Sequence, residues 1–165
     1  MRILGIDPGV ASTGWGVVDC DNEDNDNLTL VDFGVIRTPS GTDQGIRLNQ
    51  IYRDLTKIIK NYKPEVAAVE QLFFCRNAKT AISVGEARGI VLLSISQNGL
   101  LVKEFTPLQV KNGICGYGKA DKAQVQQMVK VLLNMESVPR PDDAADGLAV
   151  AICCSSHVNF DRKSK

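Results

Sequence analysis

One histidine, His157, stands in the 165-residue chain, and none of the five cysteines has a partner at CxxC spacing. A zinc site built from thiolates and imidazoles is therefore not expected. Cys20, Cys75, Cys115, Cys153 and Cys154 are odd in number and scattered, which points to reduced, mostly buried thiols rather than a disulfide framework. No apolar run reaches the roughly 18–20 residues needed to cross a bilayer. The most apolar stretch, residues 89–95, is far shorter. The opening MRILGIDPGV is interrupted at once by an acid and a proline, unlike a secretory leader. A cytoplasmic protein with no membrane association is the expectation.

Net charge is also missing, with 19 basic and 19 acidic residues. That balance does not favour a nucleic-acid binder, but the acids are unevenly placed. Residues 19–27, DCDNEDNDN, hold five acids and no base, so the rest of the chain has 19 bases against 14 acids. Bound cations would offset the charge of any clustered acids among those 14. Charge alone fits a neutral enzyme equally well.

What is present is the composition of an ordinary globular protein, of a length that suits one domain, residues 1–165, with a real core. Residues 2–7 form a short apolar run stopped by Asp-Pro-Gly, a buried strand and a turn. Residues 14–20 and 28–37 read as two further strands joined by the acidic connection, completing an antiparallel meander. Leu48, Ile51, Leu55, Ile58 and Tyr62 recur at steps of three and four, which predicts an amphipathic helix over about 45–62. Residues 65–70 predict a fourth strand, 78–97 a helix apolar nearly all round in its later part, and 100–105 a fifth strand. Pro107 opens a short helix, Asp121 caps one reaching about Asn134, and Asp142 caps a last one ending near Ser155. From about residue 157 the tail is expected to fray. The fold class is α/β, with a mixed five-stranded sheet, an antiparallel meander plus parallel strands, flanked by helices.

Four acids carry the chemistry. Asp7 ends the first strand and Glu70 the fourth. If these strands are parallel neighbours, both carboxylates leave the same sheet edge, where open α/β sheets build their sites. Asp143 and Asp146, spaced i, i+3, share one face of the last helix. Acids gathered from several elements recruit cations, and hard oxygen ligands favour Mg²⁺ or Mn²⁺. Such ions can clamp a scissile phosphodiester. Singly, each acid has a plainer role: Asp7 can start a turn, Glu70 can pair with a nearby base, and Asp142 and Asp143 can both serve a helix N-terminus.

The motifs around these acids form an ordered set: GIDPG at 5–9, TGWG at 13–16, VEQLF at 69–73, RNA at 76–78, EARG at 86–89, KADKAQVQQMV at 119–129 and DAADGLAVAI at 143–152. Together they resemble the RuvC-type Holliday junction resolvases of bacteria, in order from residue 2 to about residue 156. The resemblance implies a ribonuclease-H-like fold and a homodimer that nicks two strands of a four-way DNA junction symmetrically. It implies Mg²⁺, with Mn²⁺ as a plausible substitute, one or two ions per subunit, held by Asp7, Glu70, Asp143 and Asp146. The family's DxxD pattern selects Asp143 rather than Asp142, leaving Asp142 as the cap. A RuvA–RuvB branch-migration complex is the implied partner. The acidic insert at 19–27 is longer than the family pattern leads one to expect, and should lie away from DNA.

Phe73 follows Glu70 closely, and the resemblance implies that it wedges between bases to hold the junction open. Phe74 reads as core. Arg76 and Asn77 begin a helix whose N-terminus suits a phosphate. Lys111, Lys119 and Lys122 flank the glycine-rich GICGYG loop and could contact DNA, or simply form a solvated basic face. Arg88 could pair with an acid in a dimer interface or touch DNA, and His157 reads as surface. Two other functions remain open at this level. One is a non-catalytic junction-binding scaffold. The other is a fragment of an actin-like phosphotransferase, whose first phosphate loop GIDPGVASTGWGVV also resembles, although those proteins repeat the fold in two domains.

Overall fold

The computed structural model describes residues 1–21, 27–72 and 78–163. Three antiparallel strands come first: β1 (Arg2–Asp7), β2 (Ser12–Cys20) and β3 (Leu28–Arg37). Helix α1 (Gln44–Tyr62) then crosses to β4 (Val66–Glu70), which lies parallel to β1. Helix α2 (Ala78–Gln97) crosses to β5 (Leu101–Phe105), parallel to β4. Three helices follow: α3 (Pro107–Cys115), α4 (Lys122–Leu132) and α5 (Asp142–Lys163). The strand order is β3-β2-β1-β4-β5, so the meander and the parallel crossovers share β1 at the centre.

Alternation along the central strands sorts their side chains to two faces. Leu4 and Ile6 of β1, with Ala67 and Val69 of β4, meet Ile51, Leu55 and Ile59 of α1 and Ala87, Val91 and Ile95 of α2. Ile3 of β1, with Val66 and Ala68 of β4, faces the opposite way, toward α3, α4 and α5. The periodic stripe read from α1 is thus its core face. Asp43 caps that helix, accepting from Gly45 N at 2.8 Å, and Lys63 ends it in the left-handed conformation.

Helix α5 is buried along most of its first four turns. It packs against β1, β2 and β3 on one side and against α3 and α4 on the other. It lies close to the sheet because β1 and β2 present glycines to it. A Cβ at Gly5 would overlap Gly147 O and Ala151 N, and one at Gly14 would overlap Asp143 O.

The last helix departs from the sequence pattern at both ends. Asp142 is its first residue rather than its cap, and its carboxylate pairs with the Arg140 guanidinium. The helical backbone continues to Lys163, past the Ser155 boundary and through the segment expected to fray. His157 is half-buried rather than a surface residue: its ring packs on Phe105 at 4.9 Å between centroids, and Nδ1 lies 2.9 Å from Cys153 O. Arg88 pairs with Glu104 of its own chain. Cys20 is buried, Cys153 and Cys154 are free and buried, and Cys115 is free and half-buried. Among the described residues, no helix is long and apolar enough to cross a membrane.

Candidate active site

Strand parity places the first two acids. Asp7 follows Ile3 and Gly5 on the α5 face of β1, and Glu70 follows Val66 and Ala68 on the same face of β4. The parallel register pairs Ile6 with Val69, so Asp7 and Glu70 end adjacent strands side by side. This is the carboxyl edge of the parallel strands, where such sheets leave a crevice.

Helix α5 adds the other two. Asp7, Glu70 and Asp146 line one pocket of about 220 Å³ with Lys111 and Lys122, and Pro107, Val110, Val125 and Ala149 form its apolar walls. Lys122 Nζ donates to Asp146 Oδ2 at 2.9 Å. Asp143 stands one helical turn back, and Ser12 Oγ donates to its Oδ2 at 2.6 Å. Ser12 opens β2 and was not singled out by any motif; only the folded contact of β2 with α5 reveals it. Lys119 is exposed and does not line the pocket. Phe73, Arg76 and Asn77, together with Phe74 and Cys75, lie outside the described residues.

The electrostatics are those of an acid cluster short of positive charge. Burial, then the charges of Glu70 and Asp146, push the Asp7 carboxyl up to about 8. Asp7 shares a hydrogen bond with Glu70, which raises Asp7 and lowers Glu70. Burial also raises Glu70, a shift that Lys111 and Lys122 partly offset. Asp146 is raised by burial despite Lys122, and the hydrogen bond to Asp146 raises Lys122 in turn. A larger cavity of about 630 Å³ opens at the other end of the sheet, beside Arg2, Asp19 and Glu65. There Arg2 pairs with Asp19 and the terminal amine with Glu65, so opposite charges already meet.

A family model described as crossover junction endodeoxyribonuclease RuvC matches residues 3–154. The chain belongs to the RuvC family. The RuvC crossover junction endodeoxyribonuclease of Caldanaerobacter subterraneus subsp. tengcongensis is 51% identical over 163 residues, covering 98% of this chain and 97% of the relative. The solved structure of T. thermophilus RuvC in complex with Holliday junction substrate is 32% identical, with a TM-score of 0.92 over 98% of this chain and 96% of that one. The yeast mitochondrial Holliday junction resolvase, at 12% identity and a TM-score of 0.65 over 98% of this chain and 85% of that one, shares the fold. The mixed sheet and its helices are thus the ribonuclease-H-like fold expected from the motifs.

In this RuvC-family chain the donor set fits a hard divalent cation: oxygen ligands only, crowded enough to hold a proton between two of them. The four acids are not drawn to one point. Among the described residues, no three carboxylates, thiols or imidazoles stand in metal-holding geometry. Each acid instead has a local partner: Asp7 with Glu70, Asp143 with Ser12, and Asp146 with Lys122.

Proposed function

We propose that this chain resolves four-way DNA junctions by nicking two strands symmetrically, through a metal site formed by Asp7, Glu70, Asp143 and Asp146. The observation that carries the reading is the meeting of Asp7, Glu70 and Asp146, from two strands and a helix, in one pocket with two lysines. Family membership supplies the substrate class, since the T. thermophilus relative was solved with a Holliday junction substrate.

Mg²⁺, or Mn²⁺ in its place, suits this oxygen-only set, at one or two ions per subunit. Bound there, it would activate water for in-line attack on phosphorus and stabilise the leaving oxygen, giving 3′-hydroxyl and 5′-phosphate ends. The chain's own residues do the rest. Asp7 gives up the proton it shares with Glu70. Lys111 and Lys122, at the pocket wall, contact the scissile phosphate and offset the charge that builds on it. Lys119, more exposed, meets DNA farther out. Phe73 holds the junction open beside the cut, and Arg76 and Asn77 bind a neighbouring phosphate. The protein works in the cytoplasm, where it receives junctions from a RuvA–RuvB complex.

The outer face of α2 supports reading the protein as a homodimer. Ile82 and Leu93 are 65% and 46% exposed on one stripe with Glu86 and Gly89, and open space surrounds Gly89. A second copy of the helix can approach closely there.

The experiment is cleavage of a synthetic four-way junction with and without Mg²⁺. Paired symmetric nicks are expected only with the ion. Asp7→Asn should abolish cutting and spare binding; cutting at the normal rate would remove Asp7 from the site. Binding without any cleavage by the unaltered protein would favour the scaffold instead.

A further inference from the structure

A second groove adjoins the acids across the β1–β2 turn. It encloses about 490 Å³ and is lined by Gly9 to Ser12, by Arg47 of α1, and by Ser83 and Val84 of α2. Ser12 belongs to both places, since it lines the groove and donates to Asp143.

The groove is built around a braced turn. Thr13 Oγ1 donates to Gly9 O at 2.7 Å, and Thr38 Oγ1 donates to Val10 O at 2.6 Å. Thr38 is only 6% exposed and takes a hydrogen bond from Arg47 Nε at 2.8 Å. One donor of the guanidinium is therefore fixed to the wall. No acid pairs with Arg47 among the described residues, and no acid lines the groove. Every other arginine found paired has an acid: Arg2 with Asp19, Arg88 with Glu104, Arg140 with Asp142. Arg47 is thus a pre-positioned, half-buried cation whose remaining N–H groups meet no counter-charge among the described residues. Its planar fork matches a phosphate better than any other anion a nuclease meets. Ser83 adds a hydroxyl on the facing wall.

We propose that this groove is a phosphate subsite in which Arg47 grips a backbone phosphate flanking the scissile one on the same DNA strand. The inference rests on the nuclease reading above and extends it. The acids repel any phosphate not bridged by a cation, so a cation-free grip next to them would set the strand's register before the metal engages.

Salt dependence tests it. Binding of a four-way junction to the non-cutting Asp7→Asn protein is measured across a KCl series, alone and with Arg47→Gln or Arg47→Met added. Each lost phosphate contact should flatten the log–log slope by about 0.9. Both neutral variants should show that loss, and Arg47→Lys should keep the slope. A junction series with single methylphosphonates should reveal one position that weakens the Arg47 protein and leaves Arg47→Gln unaffected. Arg47→Met keeps the aliphatic stem, so it serves if Arg47→Gln unfolds. An unchanged slope in the folded neutral variants, whatever the affinity, would reduce Arg47 to a brace for the turn and overturn the proposal. Failure of the unaltered protein to cut junctions would instead remove the nuclease reading, and the slopes distinguish the two results.

Discussion

Asp7 is neutral in the folded, metal-free protein over a range where the unfolded chain would ionise it. Its carboxyl sits at about 8, against an ordinary value near 4. Between those values the folded state binds the extra proton, so stability falls as pH rises from about 4 to about 8. Glu70 and Asp146 are raised too and push in the same direction. Urea unfolding in chelator should show that fall, and Asp7→Asn should flatten it and be the more stable protein at pH 8. Parallel curves for the two proteins would mean that Asp7 is not the proton's site. Millimolar Mg²⁺ should also flatten the curve of the unaltered protein, because a cation replaces the proton. The same residue therefore reports on the site through stability as well as through activity.

At the scale of elements, the position of α5 decides the site, and glycines decide the position of α5. Gly5→Ala puts a methyl against Gly147 O and Ala151 N, both backbone atoms of the helix that cannot swing aside. Overpacking of this kind costs about 1–3 kcal/mol, and more where backbone must move. The urea midpoint of Gly5→Ala should fall accordingly, with cleavage lost even in the fraction that stays folded, since Asp143 and Asp146 move with the helix. A parental midpoint would show that the helix does not need this contact. The difference between what was legible and what was not follows the same line. Strand parity and the 3.6-residue stripe of α1 are local signals, and they yielded β1, β4, α1 and the shared edge of Asp7 and Glu70. The docking of α5 depends on side chains that are absent, which no periodicity records. Its length was underestimated because packing on two sides hides the stripe that would mark its end. Ser12 carries no signal because its partner, Asp143, is distant in sequence, and Arg47 none because its partner, Thr38, lies outside its own helix. The motif resemblance, not the pattern, separated Asp143 from Asp142.

At the scale of the whole molecule, the two faces of the sheet have different tasks. α5 brings acids to one face, while α1 and α2 cover the other, and the outer stripe of α2 stays exposed, as the proposed dimer requires. Leu93→Glu places a charge on an exposed apolar position at the C-terminal end of that stripe. Sedimentation should then show a monomer at micromolar concentration, with nicks on the two junction strands no longer coupled in time. A dimer that persists would move the interface elsewhere. The shared central strand has one more consequence, for how the chain can change length. Side chains in β1 alternate between the two faces, so inserting or deleting one residue within Arg2–Asp7 would turn Asp7 toward α1 and Leu4 or Ile6 toward α5. A substitution there can be graded, but a change of length is all-or-none. Tolerance for inserted residues is confined to connections outside the central strands, such as the one between β2 and β3.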